Sequence, residues 1–215
     1  MNSDGRDPKQ ITDEHDLRAP VCSADGQWVY FRDWFSQEIK RASIDGGKAE
    51  VVPGTKIADA ELDDTPVAIS PDGQWLAFSI HVEPEGNETA HQTKIVLLNV
   101  GQSDQAKGAD AGKGIGGSGG PVAKLAKQII KPDQRISGAA SFTPDGRALV
   151  YPVREAGVDN LWLQPLDASA SAAKRITNFT SDLIDVYHFS LDGKQLGVLQ
   201  RHAVSDVVLL RDTSK

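Results

Sequence analysis

The chain reads as an all-β protein, and three observations lead there. One short motif recurs four times: CSADGQWVYFR from Cys22, ISPDGQWLAFS from Ile69, FTPDGRALVYP from Phe142 and FSLDGKQLGVL from Phe189. Its aspartates, Asp25, Asp72, Asp145 and Asp192, lie 47, 73 and 47 residues apart, a period near 47 with one enlarged interval. After each motif comes the same order of short apolar runs and polar turns. Self-similarity at a fixed spacing marks a repeat array and takes precedence over local readings.

The elements of one unit follow in order. Pro-Asp-Gly at 71–73 is a turn: proline presets φ, aspartate bonds the local backbone and glycine supplies positive φ. WLAFSI (75–80) then reads as a strand buried on both faces. HVEPEGNETAHQT (81–93) is a polar loop, and KIVLLNV (94–100) is a second strand rich in β-branched residues. Elsewhere QWVYF (27–31) is followed by EIKRASIDGG (38–47), ALVYPV (148–153) by NLWLQPLDAS (160–169), and QLGVL (195–199) by DVVLLRD (206–212). A fourth short strand precedes each next motif: KQIT (9–12), AEVV (49–52), KQII (127–130) and KRIT (174–177).

Each unit thus holds about four short strands. The units span 13–52, 60–130, 137–177 and 184–212 of a single domain, 1–215, with 1–12 supplying the fourth strand of a preceding or of the last unit. Four-stranded units at this spacing are the signature of β-propeller blades. A blade cannot bury its two faces alone, so the core is shared between neighbours. Trp28 and Trp75, two residues after their turn glycines, and Trp162 in a third-strand position are read as inter-blade packing. The fold expected is a β-propeller segment of about four blades, an open arc in preference to a closed four-blade ring. In the ring, KQIT would pair with DVVLLRD and remove the exposed edges. In the arc, apolar blade faces stay bare and self-association is expected.

Composition narrows the function. A formal charge of −7 argues against nucleic-acid binding, which relies on cations neutralising phosphates. The single cysteine excludes an internal disulfide; Cys22 falls in a strand and is read as a small buried hydrophobe. No apolar stretch approaches the roughly 18 residues of a membrane span. The start, MNSDGRDPKQ, lacks the apolar core of a signal peptide. As written the chain is expected to be soluble and cytoplasmic, which leaves room for a membrane-anchored or periplasmic parent protein.

Residues 101–126, GQSDQAKGADAGKGIGGSGGPVAKLA, account for the enlarged interval. Such a composition cannot bury enough apolar area to offset chain entropy, so a disordered loop on the outer rim is expected. It generates motif matches that fail on context. GIGGSG (114–119) has the dinucleotide spacing without a strand before it or a helix after it. GGSGG around Ser118 lacks the strand-to-helix turn of a nucleophile elbow. GADAGKG places Lys113 one residue short for a phosphate loop, with no Ser or Thr following. VAK (122–124) lies too close to the glycines for a kinase lysine motif.

The five histidines, His15, His81, His91, His188 and His202, form no H-x-x-x-H pair. His81 and His91 flank Glu83, Glu85 and Glu88; these residue types would suit a surface metal site, and a solvated loop is the preferred reading. Asn87 and Asn178 open glycosylation sequons by pattern, idle without export. No paired carboxylates and no Ser/His/Asp set emerge from spacing. No catalytic, cofactor-binding or metal residue is assigned, and no cofactor is expected.

The four S-x-D-G-x-x-x-x-Y/F-type motifs, with KQIT or KRIT before them, resemble the TolB-like (WD-repeat-like) β-propeller repeat. The resemblance covers 1–100 and 127–215 and is best at 69–79 and 139–178. It departs at Cys22, where the repeat has an aromatic, and at Ala24 and Leu191, where it has proline. The stretch 159–212 resembles the C-terminal end of bacterial multidomain proteins in which such a propeller follows a eukaryotic-type Ser/Thr protein kinase domain; some similar tails follow a DNA-binding domain. No kinase motif stands in this chain, so kinase activity is not carried over. MNSDGRDPKQIT resembles the end of a third strand, a turn and a fourth strand of a preceding blade, so Met1 is expected to lie inside a larger propeller; family propellers usually have six or seven blades.

The function implied is a non-catalytic binding or scaffolding propeller, the sensory or interaction part of a bacterial signalling protein. It would hold a protein or small-molecule ligand on loops at one end of a rigid frame. The alternative is a propeller fragment of a Ser/Thr protein kinase or of a prolyl-oligopeptidase-family hydrolase whose catalytic domain lies outside this chain. A truncated gene product is the third reading.

Overall fold

The computed structural model describes residues 8–83, 92–101, 127–130, 136–166, 172–190 and 192–202. Every regular element in them is a strand. The first sheet runs β1 (Leu17–Cys22), β2 (Trp28–Asp33), β3 (Glu38–Ser43) and β4 (Glu50–Val51), antiparallel and in chain order. The second holds β5 (Ala60–Leu62), β6 (Ala68–Ile69), β7 (Trp75–Val82), β8 (Gln92–Asn99) and β9 (Lys127–Ile130). Here β5 and β6 both pair with β7, so together they form one interrupted inner strand. The third sheet is β10 (Ser141–Phe142), β11 (Ala148–Glu155), β12 (Val158–Pro165) and β13 (Lys174–Arg175). The fourth contributes β14 (Leu183–Phe189) and β15 (Leu196–Arg201).

The Asp-Gly corners fall between the inner and second strand of every sheet, and all four share one hydrogen-bond set. The hydroxyl of Ser23, Ser70, Thr143 or Ser190 donates to the aspartate two residues on, at 2.5 to 2.6 Å. The same oxygen accepts the backbone N–H five residues on. The aspartate accepts the N–H of the residue after the glycine. Gly26, Gly73, Gly146 and Gly193 take φ of +69°, +70°, +69° and +69°, a region that strains any residue with a Cβ.

The core lies between the sheets. Tyr30, Ile39 and Val52 of the first pack with Leu76, Phe78 and Val96 of the second. Ala77, Ile95 and Leu97, on the other side of the second, meet Leu149, Tyr151 and Val153 of the third. Val150 and Leu161 meet Ile184 and Tyr187 of the fourth. Each buried Leu, Ile or Phe contributes about 1.5–3 kcal/mol, and every sheet between two others depends on both. The tryptophans lie where the repeat places them: Trp28 borders the first interface, Trp75 and Trp162 the second. Arg41 also covers the Trp28 ring at 4.1 Å.

Three expectations change. KQIT (9–12) forms no strand. Its Ile11 instead packs on Phe31, Ala42 and Ala49, the face of the first sheet with no neighbouring sheet, because covering that apolar surface outweighs unpaired extension. The partner expected for KQIT, 206–212, lies outside the described residues. Cys22 is in β1 but exposed; burial alternates along that strand, and Cys22 shares the outward phase with Arg18 and Pro20. His81 is not in a loop, because β7 runs on to Val82. The insertion beyond Gly101 with its false motifs, the Asn87 sequon, and Glu85, Glu88, His91 and Leu191 lie outside the described residues. Among the described residues no helix is long and apolar enough to cross a membrane.

Candidate functional site

The inner strand of every sheet is irregular part-way along its length. In the first sheet the register passes from Arg18↔Arg32 to Val21↔Tyr30, a one-residue bulge. In the second, Leu62↔Ile80 gives way to Ala68↔Ala77. In the third, the bridge Ile136↔Val153 is followed by Ser141↔Val150. In the fourth, Ile184↔Gln200 is followed by Val186↔Leu199. Bulges re-aim side chains and leave local backbone groups outside the ladder. These four stretches converge on one cleft of about 770 Å³, bordered by 20–21, 64–69, 137–144 and 184–189.

The walls of the cleft are mostly small and apolar, including Val21, Val67, Ala139 and Phe189. Charged groups stand among them in neutralising sets. Asp64 accepts Arg18 Nη1 at 3.2 Å and Arg32 Nη1 at 2.9 Å, and the Trp34 ring lies 4.1 Å and 4.8 Å from the two guanidinium carbons. Burial lowers the Arg32 guanidinium from its ordinary value, opposed by Asp64. Arg154 is held by Asp159, and Arg201 lies 3.5 Å from Asp185.

Asp159 is wholly buried. It accepts Arg154 Nε at 2.8 Å, Arg154 Nη2 at 3.0 Å, Ser137 Oγ at 3.0 Å and the Ile184 N–H at 3.0 Å. Burial pushes its carboxyl up, and the bonds from Arg154, Ile184 and Ser137 outweigh burial and hold it below the usual carboxylate range. The Tyr187 hydroxyl, pushed up by burial, lies 2.7 Å from the Val150 carbonyl and 2.8 Å from that of Ala139, pinning the fourth inner strand to the third.

These acids and bases are committed to structural bonds. The turn aspartates are likewise occupied: the neighbouring Ser or Thr hydroxyl, first, and a backbone N–H hold Asp25, Asp72, Asp145 and Asp192 below the usual range. His81 places Nε2 3.1 Å from Asp63 and Nδ1 3.3 Å from the Thr93 hydroxyl. Asn178 accepts from Arg175, and Phe179 borders the third inter-sheet cluster. The cleft escaped sequence reasoning because its members come from four units and no local pattern joins Arg18, Asp64, Ser137 and Arg201. The usable signals were Pro20 within β1 and Pro66 in the break between β5 and β6, since proline marks an edge strand or a bulge.

No protein-family model matches the chain, and no curated protein matches it in sequence. Among solved structures it is similar to TolB from Acinetobacter baumannii, at 18% identity over 95% of this chain and 43% of that one, with a TM-score of 0.65. It is similar to a structure assigned as TolB from Agrobacterium tumefaciens, at 17% identity over 87% of this chain and 56% of that one, with a TM-score of 0.58. Prolyl oligopeptidase B from Galerina marginata aligns at a TM-score of 0.49, too loosely to carry an argument. The chain spans about half the length of the TolB structures it matches. These likenesses show the fold, a partial β-propeller of TolB-like architecture.

Proposed function

We propose that this chain is a non-catalytic binding module that takes an extended peptide segment of a partner protein into the cleft between its inner strands. The carrying observation is that four sheets each turn an irregular edge strand toward one cavity of about 770 Å³. That size is within the usual range for ligand pockets. Edge strands offer unpaired backbone N–H and C=O groups to an extended chain, and small apolar walls leave room for its side chains. The arginines and aspartates at the cleft neutralise one another, which favours holding a ligand over proton transfer.

The resemblance of 159–212 to propeller tails that follow kinase domains supports placing the module in a larger bacterial signalling protein. A place beside a hydrolase domain of the prolyl-oligopeptidase kind is the alternative, and an in-phase upstream kinase reading frame would decide between them.

The test is selection of peptides from a displayed library on the purified chain, repeated with Ala139→Trp, which fills the cleft wall. Selected peptides should bind the parent chain and lose affinity at least about tenfold in the variant while its thermal midpoint holds. Equal binding by both proteins, or turnover of peptide or ATP by the purified chain, sinks the reading.

A further inference from the structure

We propose that the tip of the β2–β3 hairpin and the acidic hollow beside it form a docking surface for a lysine- or arginine-bearing segment of a partner protein. The tip is residues 34–37, since Asp33 pairs with Glu38 at the ends of β2 and β3. In the third sheet Glu155 pairs with Val158, and the matching tip is only Ala156 and Gly157. The first tip is thus longer than its counterpart, and it carries two aromatic side chains that closing a hairpin does not require.

Phe35 is 77% exposed and Trp34 is 40% exposed. The backbone that presents them is fastened. Asp33 Oδ1 accepts the Phe35 N–H at 2.9 Å and the Ser36 N–H at 3.2 Å. Gln37 Nε2 donates to the Trp34 carbonyl at 2.7 Å, and the Gln37 N–H donates to the Asp33 carbonyl at 3.1 Å. The Trp34 ring is stacked by Arg18 and Arg32. Aromatic side chains held in place in water are the form an interface anchor takes, because little freedom is left to lose on binding.

The surroundings select the occupant. The bond from the Leu62 N–H to Gln37 Oε1 brings β5 alongside the tip. There Asp59, Glu61, His81 and Glu83 line a hollow of about 440 Å³. Burial lowers the Arg32 guanidinium, and Asp64, Asp63 and Glu61 each oppose it, which sets these acids in the field of the Trp34 stack. Asp64 is matched by Arg18 and Arg32, and Asp63 faces His81. Asp59 and Glu61 are exposed and hold no ion pair among the described residues, so negative charge is left over. Nucleic acid and an anionic lipid surface bring the wrong sign, and a second copy brings the same acids with it. A basic segment with an apolar residue beside its charge answers both the aromatic anchor and the unmatched carboxylates. Trp34, Phe35, Asp59 and Glu61 do not border the cleft between the inner strands, so this surface stands apart from the peptide site proposed there.

Peptides selected from a displayed library on the full 215-residue chain, each then measured again on three variants, test the proposal. One class is expected to carry lysine or arginine beside an apolar residue, to lose affinity at least about tenfold with Phe35→Ser, and to keep it with Ala139→Trp. Asp59→Asn combined with Glu61→Lys should weaken the same peptides about tenfold and flatten their salt dependence. Asparagine is the choice at 59 because φ there is +57°, a conformation it tolerates. Thermal midpoints should hold, since the altered side chains are exposed. A selection that yields no peptide dependent on Phe35 overturns the proposal. So do Phe35-dependent peptides that are acidic or uncharged, or that ignore the acid variant. Self-association of the chain that Phe35→Ser abolishes would give the tip to a second copy and overturns it too. Cleft binding can fail without altering this result, because Ala139→Trp identifies the peptides that belong there.

Discussion

The carboxylate of Asp159 on β12 accepts the backbone N–H of Ile184 on β14 at 3.0 Å, joining the third sheet to the inner strand of the fourth. Gln37 does the same work two interfaces earlier, between the first and second sheets, where its Oε1 accepts the Leu62 N–H at 3.0 Å. Both residues stand two before the residue whose N–H is capped by a threonine: Thr55 for Ile39 and Thr177 for Leu161. The side chain entering the third strand thus reaches forward to the next blade.

Removing Asp159 should therefore cost more than one hydrogen bond. Asp159→Ala leaves the buried Ile184 N–H without its acceptor and the part-exposed Arg154 guanidinium without its partner, at a cost of about 1–3 kcal/mol. Asp159→Asn keeps an oxygen for one donor and should lose less. Urea unfolding midpoints of the two variants check this. An Asp159→Ala midpoint equal to that of the parent would remove the connecting role.

Acid should destabilise the protein through this group and the turn aspartates together. All five carboxyls sit below their usual range in the folded state. Their contribution is fully present above the unfolded value, about 3.9, and is lost as pH falls through the depressed folded values. Urea midpoints should be level from neutrality to about pH 5 and decline below about pH 4. Asp159→Asn should show a shallower decline. Stability that rises between pH 5 and pH 3 would contradict the assigned hydrogen bonds.

Cys22 is the sharpest difference between sequence and structure, and its reactivity is simple to measure. An exposed thiol on an edge strand should react with Ellman's reagent in the folded protein at close to the rate of the unfolded chain. Protection of a hundredfold or more would restore the buried reading.

What the sequence made legible was local. The turn needs a hydroxyl, a carboxylate and a positive-φ glycine at fixed offsets, and Ser23, Asp25 and Gly26 spell it out without help from the rest of the chain. The strands of each hairpin follow from those corners. What stayed hidden depends on relations between blades. Ile11 reads as a strand residue until the bare Phe31 face is known, and Cys22 reads as buried until the bulge between Arg18 and Val21 sets the phase of β1. Asp64 and Asp159 look like ordinary surface acids, because their partners Arg32 and Ile184 lie 32 and 25 residues away.

The turn glycines allow a controlled comparison. Gly73 and Gly193 have φ of +70° and +69°, so alanine at either carries the left-handed penalty of about 1–2 kcal/mol. Their surroundings differ. A Cβ at Gly73 meets nothing within 4 Å, whereas one at Gly193 falls 2.9 Å from Pro144 Cβ. The difference traces to the repeat itself: the preceding corner offers Pro144 to Gly193 and Pro71 to Gly146, while Gly73 follows a corner with Ala24 in the proline position. Gly193→Ala should therefore exceed Gly73→Ala by about 1 kcal/mol or more, and Gly146→Ala, with Pro71 Cδ at 3.5 Å, should fall between. In a double-mutant cycle, Pro144→Gly should recover the excess in the Gly193→Ala background, because it removes the obstructing Cβ. Equal costs at Gly73 and Gly193 would mean that successive corners do not rest on one another.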